Sequence, residues 1–208
     1  MKIPDTIDGS WHRSLQPHFQ DSSTITFLKK NILPSHTFFP QTKDVFNVFK
    51  MPIQKIRLVI LGQDPYPNTG QAIGYAFAIN KDTLKPPSLK IIEKELGHTL
   101  SNELTEWRKQ GVFLLNTALT VKAKTAGSHL IYWREFTKSV IIEISRVNPC
   151  SWLLMGKHAQ SFEECIQEEG NIIYRTPHPA AEAYSGGNAG FLGSGVFDKI
   201  NNSLSINL

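Results

Sequence analysis

The chain has 208 residues, 40% of them hydrophobic and 19% charged, with 22 Lys+Arg against 18 Asp+Glu and a formal charge of +4. That length implies a single domain, spanning 1–208, able to bury roughly 70% of its unfolded surface, which excludes disorder as the main state and removes any need for disulfides or a structural metal. Its two cysteines, Cys150 and Cys165, form no CxxC. No apolar run approaches the roughly 18 residues of a membrane span, and the opening Met1-Lys2-Ile3-Pro4-Asp5 lacks the apolar stretch of a secretory signal, so a soluble intracellular protein is expected. A charge of +4 permits a polyanionic partner without demanding one.

Residues 1–20 mix Trp11, His12, Pro17 and His18 without a clear period and read as an N-terminal arm packed on the domain. A helical pattern then runs from Ser22 through Ile25, Phe27, Leu28 and Ile32 to a stop at Pro34. Phe38-Phe39-Pro40 is loop-like. Leu58-Val59-Ile60-Leu61 has the length of a buried strand and ends in Gly62-Gln63-Asp64. A helix follows from Ser88 to Leu96, with Ser88 as its N-cap and Leu89, Ile92 and Leu96 on one face. Three further strand-length runs are Val112-Phe113-Leu114-Leu115 before Asn116, Trp152-Leu153-Leu154-Met155 before Gly156, and Ile172-Ile173-Tyr174 before Thr176-Pro177-His178. Between them lie helical stretches from Arg134 to Val147 and from His158 to Glu168, the latter closed by Gly170.

Strands alternating with helices predict an α/β fold with a central parallel four-stranded sheet flanked by helices. In such sheets ligands gather beyond the carboxyl ends of the strands. Asp64, Asn116 and His178 follow three different strands and so land on one rim. An acid, an amide and an imidazole converging there form a candidate site.

The segment Gly62-Gln63-Asp64-Pro65-Tyr66-Pro67, with Gly70-Gln71-Ala72, Gly74 and Ala76-Phe77 after it, resembles the water-activating loop of uracil-DNA glycosylases of the classical, family 1-like branch. The resemblance continues through Lys85-Pro86-Pro87-Ser88-Leu89, Leu114 to Val121, Gly127-Ser128-His129, Trp133 to Thr137, Gly156-Lys157-His158-Ala159-Gln160 and Pro177-His178-Pro179, covering about Phe38 to Asn201. It implies a monofunctional glycosylase that flips uracil out of DNA and hydrolyses its N-glycosidic bond in base excision repair, without metal, iron–sulfur cluster or other cofactor. By the same resemblance Asp64 and His178 are catalytic: Asp64 stabilises the sugar cation and orients the water, while His178 donates to uracil O2. Asn116 reads the Watson–Crick edge, Tyr66 stands against C5, Phe77 stacks on the base, and the backbone after Gln63 helps hold O2. Ser88, Gly156 and Lys157 are candidate phosphate contacts.

Three departures from the family pattern stand out. Pro67 replaces a common His, Met155 replaces a common Trp, and the usual His-Pro-Ser-Pro-Leu becomes His178-Pro179-Ala180-Ala181-Glu182, with Ala183-Tyr184 following. Ala180 and Ala183 then stand for two phosphate-pinching serines, and Glu182 for the leucine wedge that fills the emptied stack. A negative side chain facing the minor groove would be repelled by phosphates, so Tyr184, presented by a loop made supple by Gly186 and Gly187, is expected to fill the gap. Phe191 and Leu192 are expected in the core. The expected partner is uracil-containing DNA, single- and double-stranded, met by a monomer in the cytoplasm, or in the nucleus of a eukaryotic or viral system. Two other readings share the fold: a catalytically degenerate DNA-binding scaffold, and a glycosylase with shifted base or strand preference.

Overall fold

A computed structural model describes residues 2–20 and 23–208. In chain order its elements are α1 (His12–Leu15), α2 (Thr24–Phe27), β1 (Phe38–Phe39), β2 (Leu58–Gly62), α3 (Pro87–Leu96), α4 (Thr105–Lys109), β3 (Val112–Asn116), β4 (Val121–Lys122), α5 (Leu130–Val147), β5 (Ser151–Met155), α6 (Lys157–Gln160), β6 (Ile172–Thr176), α7 (Pro179–Ser185) and α8 (Val196–Leu204). The four apolar runs become β2, β3, β5 and β6, all parallel, in the order β3-β2-β5-β6.

The first three of these are buried on both faces because each supplies two alternating sets of apolar side chains. Val59, Leu61, Phe113, Leu115, Trp152 and Leu154 share one core with the N-terminal arm and α5. Leu58, Ile60, Val112, Leu114, Leu153 and Met155 share the other with α3, α4 and α8. The arm enters the first core through Ile3, Ile7, Trp11, Leu15 and Phe19, and Trp11 stacks on Phe113 at 5.4 Å between ring centroids while its indole N–H donates to Met51 O at 2.8 Å. Each such buried apolar side chain contributes about 1.5–3 kcal/mol relative to exposure. Edge strand β6 is half-exposed, and its Arg175 forms a bidentate pair with Glu163 at 2.5 and 2.6 Å.

Helix α5 buries Trp133, Phe136, Thr137, Val140, Ile141 and Ile144, the three-and-four spacing of one face, and stops at Asn148 because Pro149 disfavours helical backbone before it. Helix α3 begins one turn-position earlier than expected: Pro86 is its N-cap and Pro87 its first residue, so Ser88 lies inside the helix and caps nothing. The predicted helix from His158 to Glu168 is cut to α6 and a 3-10 turn over Glu163–Cys165. There the Ser161 hydroxyl takes His158 O at 2.7 Å, competing with the helix backbone. The apolar spacing of Ala159, Phe162 and Ile166 survives as burial without a continuous helix. In the predicted helix from Ser22, Ser22 lies outside the described residues; Ser23 caps α2, which continues as a π-helical turn over Leu28–Ile32. Phe38-Phe39, expected as loop, forms β1 and pairs antiparallel with β4.

The largest correction concerns residues 179–185, expected as a supple loop and found as α7. Glu182 does not face solvent; it is 2% exposed, and its carboxylate accepts backbone N–H groups of Ala189 at 3.1 Å, Phe191 at 2.6 Å and Leu192 at 3.0 Å. It organises the turn that sends Phe191 into the core; Leu192 is only half-buried. Burial pushes the Glu182 carboxyl upward, but the N–H donors outweigh it and hold the pKa below its ordinary 4.5. A depressed carboxylate stabilises the fold above its unfolded value and loses that contribution as pH falls through the folded one. Glu182→Gln is therefore expected to lower Tm at pH 7, with the gap from the parent closing as pH drops below about 4.5, measured by thermal melts across that range.

Candidate active site

The parallel register brings three strand ends to one rim. Gly62, last in β2, pairs with Asn116, last in β3, and His178 follows two residues after β6. Between them opens a cavity of about 810 Å³, lined by Gln63, Asp64, Tyr66, Phe77, Ser88, Asn116, His178 and Tyr184 among others. A smaller hollow of about 350 Å³ lies beside Val112, Tyr75 and Arg108, away from these groups.

The floor of the cavity requires glycine. A Cβ on Gly62 would stand 2.5 Å from Asn116 Oδ1 and 3.0 Å from Ala76 Cβ. Asn116 is 7% exposed, and its amide makes no hydrogen bond within the described residues, so a donor and an acceptor remain available to an occupant. Phe77 forms one wall from a left-handed backbone (φ 63°), a conformation that costs a non-glycine residue of order 1–3 kcal/mol. Its neighbour Ala76 is fixed by an N–H bond to Leu114 O at 2.9 Å, which ties that wall to β3. The Tyr66 hydroxyl stands 2.9 Å from Ser88 Oγ, and burial pushes the phenol up to about 12. Ser88 thus holds Tyr66 instead of capping α3.

His178 is the N-cap of α7. Its Nδ1 accepts the Ala180 N–H at 3.1 Å, so the neutral ring carries its proton on Nε2. Burial lowers its pKa, which favours that neutral form. Gly156, with φ 89°, packs directly behind: a Cβ there would meet His178 Cβ at 2.8 Å. Gly156 therefore seats the imidazole, and neither it nor the exposed Lys157 lines the cavity.

Asp64 faces these groups from the turn after β2. Its Oδ2 accepts a short hydrogen bond from the Gly127 N–H, and Oδ1 accepts from Gln63 Nε2 at 3.3 Å. Burial raises the Asp64 pKa above its ordinary 3.8; those two donors and nearby His158 offset part of the rise. Behind it, Thr117 Oγ1 donates to Gln63 O at 2.6 Å and accepts from His158 Nε2 at 2.8 Å, pinning the turn that carries the carboxylate.

Known proteins share this arrangement of chain and fold. The family model of the uracil DNA glycosylase superfamily matches residues 50–205. The chain is 40% identical over 206 residues to the uracil-DNA glycosylase of Borrelia turicatae, covering 93% of this chain and 91% of that protein. The chain belongs to the uracil-DNA glycosylase superfamily. It is also 38% identical to the Clostridium beijerinckii uracil-DNA glycosylase, over 97% of this chain and 93% of that one. The crystal structure of mimivirus uracil-DNA glycosylase superposes with a TM-score of 0.74 at 24% identity, over 84% of this chain and 70% of that one.

Within this glycosylase chain, sequence reasoning did not find the contact of Gly127 with Asp64, 63 residues apart, nor the Thr117–His158 support. Both segments belong to quoted motifs, but their partners are fixed only by folding. Leu84 was also missed. It is 90% exposed on the cavity rim, as Tyr184 is, and the signal was an apolar residue stranded among Lys81, Asp82, Lys85 and prolines. Lys85, also on the rim, pairs with Glu93 and donates to Leu100 O at 2.7 Å. Among the described residues no group of three or more His, Cys, Asp or Glu stands where it could hold a metal ion.

The raised Asp64 pKa has a consequence for stability. The folded state binds the proton more tightly than the unfolded one, so stability falls as pH rises through the folded value and the cost persists above it. Asp64→Asn is expected to melt at a higher temperature than the parent at pH 7 and at nearly the same temperature near pH 3, while uracil excision drops by orders of magnitude. A variant less stable at pH 7 than the parent would contradict the burial cost.

Proposed function

We propose that this chain excises uracil from DNA: it flips the nucleotide into the cavity and hydrolyses the N-glycosidic bond, so that water adds to the sugar and free uracil leaves an abasic site for repair. Breaking this bond develops positive character on the sugar and negative charge on the departing base. Asp64 serves the sugar side as a carboxylate, orienting water at the anomeric carbon. His178 serves the base side, its Nε2–H donating to uracil O2 as the anion forms. The observation that carries this reading is the Ala180 N–H on His178 Nδ1, because it fixes a neutral imidazole with its one proton available to the cavity. A preorganised donor of this sort contributes about 3–4 kcal/mol to barrier lowering.

Base selection follows from the unpaired Asn116 amide. It matches O4 and N3–H of uracil, whereas cytosine presents the opposite polarity at both positions and leaves buried groups unpaired. Tyr66, held by Ser88, excludes the thymine methyl, and Phe77 stacks on the base.

Flipping from a duplex costs a few kcal/mol and leaves a gap in the stack. Since Glu182 is engaged with residues 189–192, its charge does not oppose the DNA, and a shifted strand preference rests instead on Ala180 and Ala183 standing for serines. Tyr184 fills the wedge role. It lies six residues beyond His178 on the same helix, about 9 Å along the axis, and is 90% exposed. The wedge and the anion-stabilising donor thus move as one rigid element.

Two measurements test this. Asn116→Asp replaces the amide donor with an acceptor for cytosine N4; weaker uracil excision and detectable cytosine excision are expected, and full uracil activity would remove Asn116 from the pocket. Tyr184→Ala is expected to slow single-turnover excision from a U·A pair much more than from single-stranded DNA at one salt concentration. An unchanged ratio would remove Tyr184 from the wedge role and leave Asp64 and His178 untouched.

A further inference from the structure

A chain of hydrogen bonds outside the cavity ends beside the group that holds Asp64. Trp133 Nε1 donates to Thr120 Oγ1 at 2.7 Å, and Thr120 Oγ1 stands 2.9 Å from His129 Nδ1. His129 Nε2 is 2.8 Å from His36 Nε2, His36 Nδ1 is 2.7 Å from Ser35 Oγ, and Ser35 Oγ donates to Ile32 O at 2.6 Å. A carbonyl only accepts, so the Ser35 hydrogen goes to Ile32 O, and that end sets the direction of the whole chain. Thr120 accepts from Trp133 and sends its own hydrogen to His129 Nδ1. His129 is then protonated on Nε2 and donates to His36 Nε2. His36 carries its proton on Nδ1 and donates to Ser35, whose hydrogen goes to Ile32 O. Two neutral rings satisfy every bond.

The inner end of this chain is well buried. His129 is 2% exposed, and burial above all, with the neighbouring basic groups and against a backbone hydrogen bond at Thr120 that raises it, pulls its pKa down to about 4. Tyr132 packs its ring edge on His129 at 6.2 Å between centroids. Two residues before His129 is Gly127, the N–H donor to Asp64. Between them, Ser128 Oγ accepts the Lys122 N–H of β4 at 2.8 Å. The short segment 127–129 is thereby held at β4 by Ser128 and at residues 35–36 by His129.

We propose that His36 and His129 are positioning residues for Asp64: their ring-to-ring hydrogen bond fixes the segment whose Gly127 N–H holds the carboxylate. Neither ring touches the substrate. The inference rests on the proposed uracil excision for its kinetic readout and on geometry alone for its spectroscopic one.

The experiment uses the full chain and two variants. His36→Leu removes the acceptor of His129 Nε2–H, whereas His36→Gln puts a non-titrating amide oxygen near the position of Nε2. Single-turnover excision from a single-stranded uracil oligonucleotide is followed against enzyme concentration and pH. The Leu variant is expected to lose about tenfold in the saturating rate at unchanged half-saturation. Its acid limb is expected to move to higher pH, because a carboxylate that loses a donor binds its proton more tightly. The Gln variant is expected to recover both. A Leu variant with the parent's rate and acid limb overturns the proposal, as does a Gln variant no better than the Leu variant.

The Gly127 amide proton, read by NMR, is expected far downfield in the parent and the Gln variant and to move upfield in the Leu variant. An unmoved resonance overturns the positioning role. This readout stands even if the parent excises no uracil, which would overturn the functional reading instead. Should the Leu variant fail to fold, Ser35→Ala removes an exposed link of the same chain; the same upfield shift is expected, and none overturns the proposal.

Discussion

The site depends on a carboxylate kept partly out of water and held by a single short backbone hydrogen bond, Gly127 N–H to Asp64 Oδ2. Left to burial alone, Asp64 would drift toward its neutral form, which could not serve the sugar cation of the proposed reaction. Left to solvent, it would interact weakly with that cation, since Coulomb attraction at high dielectric is small. The structure sits between these limits. Gly127, Gln63 and nearby His158 return part of what burial removes, so the charged form is supported by fixed donors where water is scarce. Much of the surrounding architecture, from Thr117 and His158 behind the turn to the 127–129 segment in front of it, keeps that one contact in place.

The parallel register explains why such a site can be built at all. Pairing Gly62 with Asn116 sets the amide directly beside the turn that carries Asp64, and it leaves room only for hydrogen on Gly62. On the far side of β2, β5 ends before Gly156, whose missing side chain lets the His178 backbone approach. Two glycines at strand ends therefore set the spacing of an amide, a carboxylate and an imidazole. The left-handed Phe77 completes the cavity at a cost in backbone strain, which is tolerated because its neighbour Ala76 is bonded to β3.

Most of this was legible in the sequence because the sheet is doubly buried. Strands such as Val112 to Leu115 read as unbroken apolar runs, and their ends mark the rim without further information. What resisted reading were places where a polar side chain competes with the backbone. Ser161 ends α6 by taking a helix carbonyl, Ser88 bonds to Tyr66 instead of capping α3, and Pro86-Pro87 start that helix in its place. Contacts across long sequence separations, such as Gly127 with Asp64 or His36 with His129, have no local signature.

Glu182 shows how a substitution pattern can mislead when only one surface is considered. Read as the occupant of a DNA-facing position, a carboxylate there is repulsive and argues against duplex engagement. In the folded chain that side chain turns inward and accepts three backbone N–H groups from the segment leading to α8, satisfying donors that the tight turn would otherwise leave unpaired. The helix α7 thereby divides its labour by face. Its N-cap imidazole serves the cavity, its buried carboxylate organises the returning chain, and two residues later Tyr184 projects into solvent. On a helix, positions two apart point in nearly opposite directions, so the face that buries Glu182 is the one opposite to Tyr184. The departure from the family pattern is then accommodated within one helix, the acid on its inner face and the aromatic ring on its outer one, without disturbing the His178 cap.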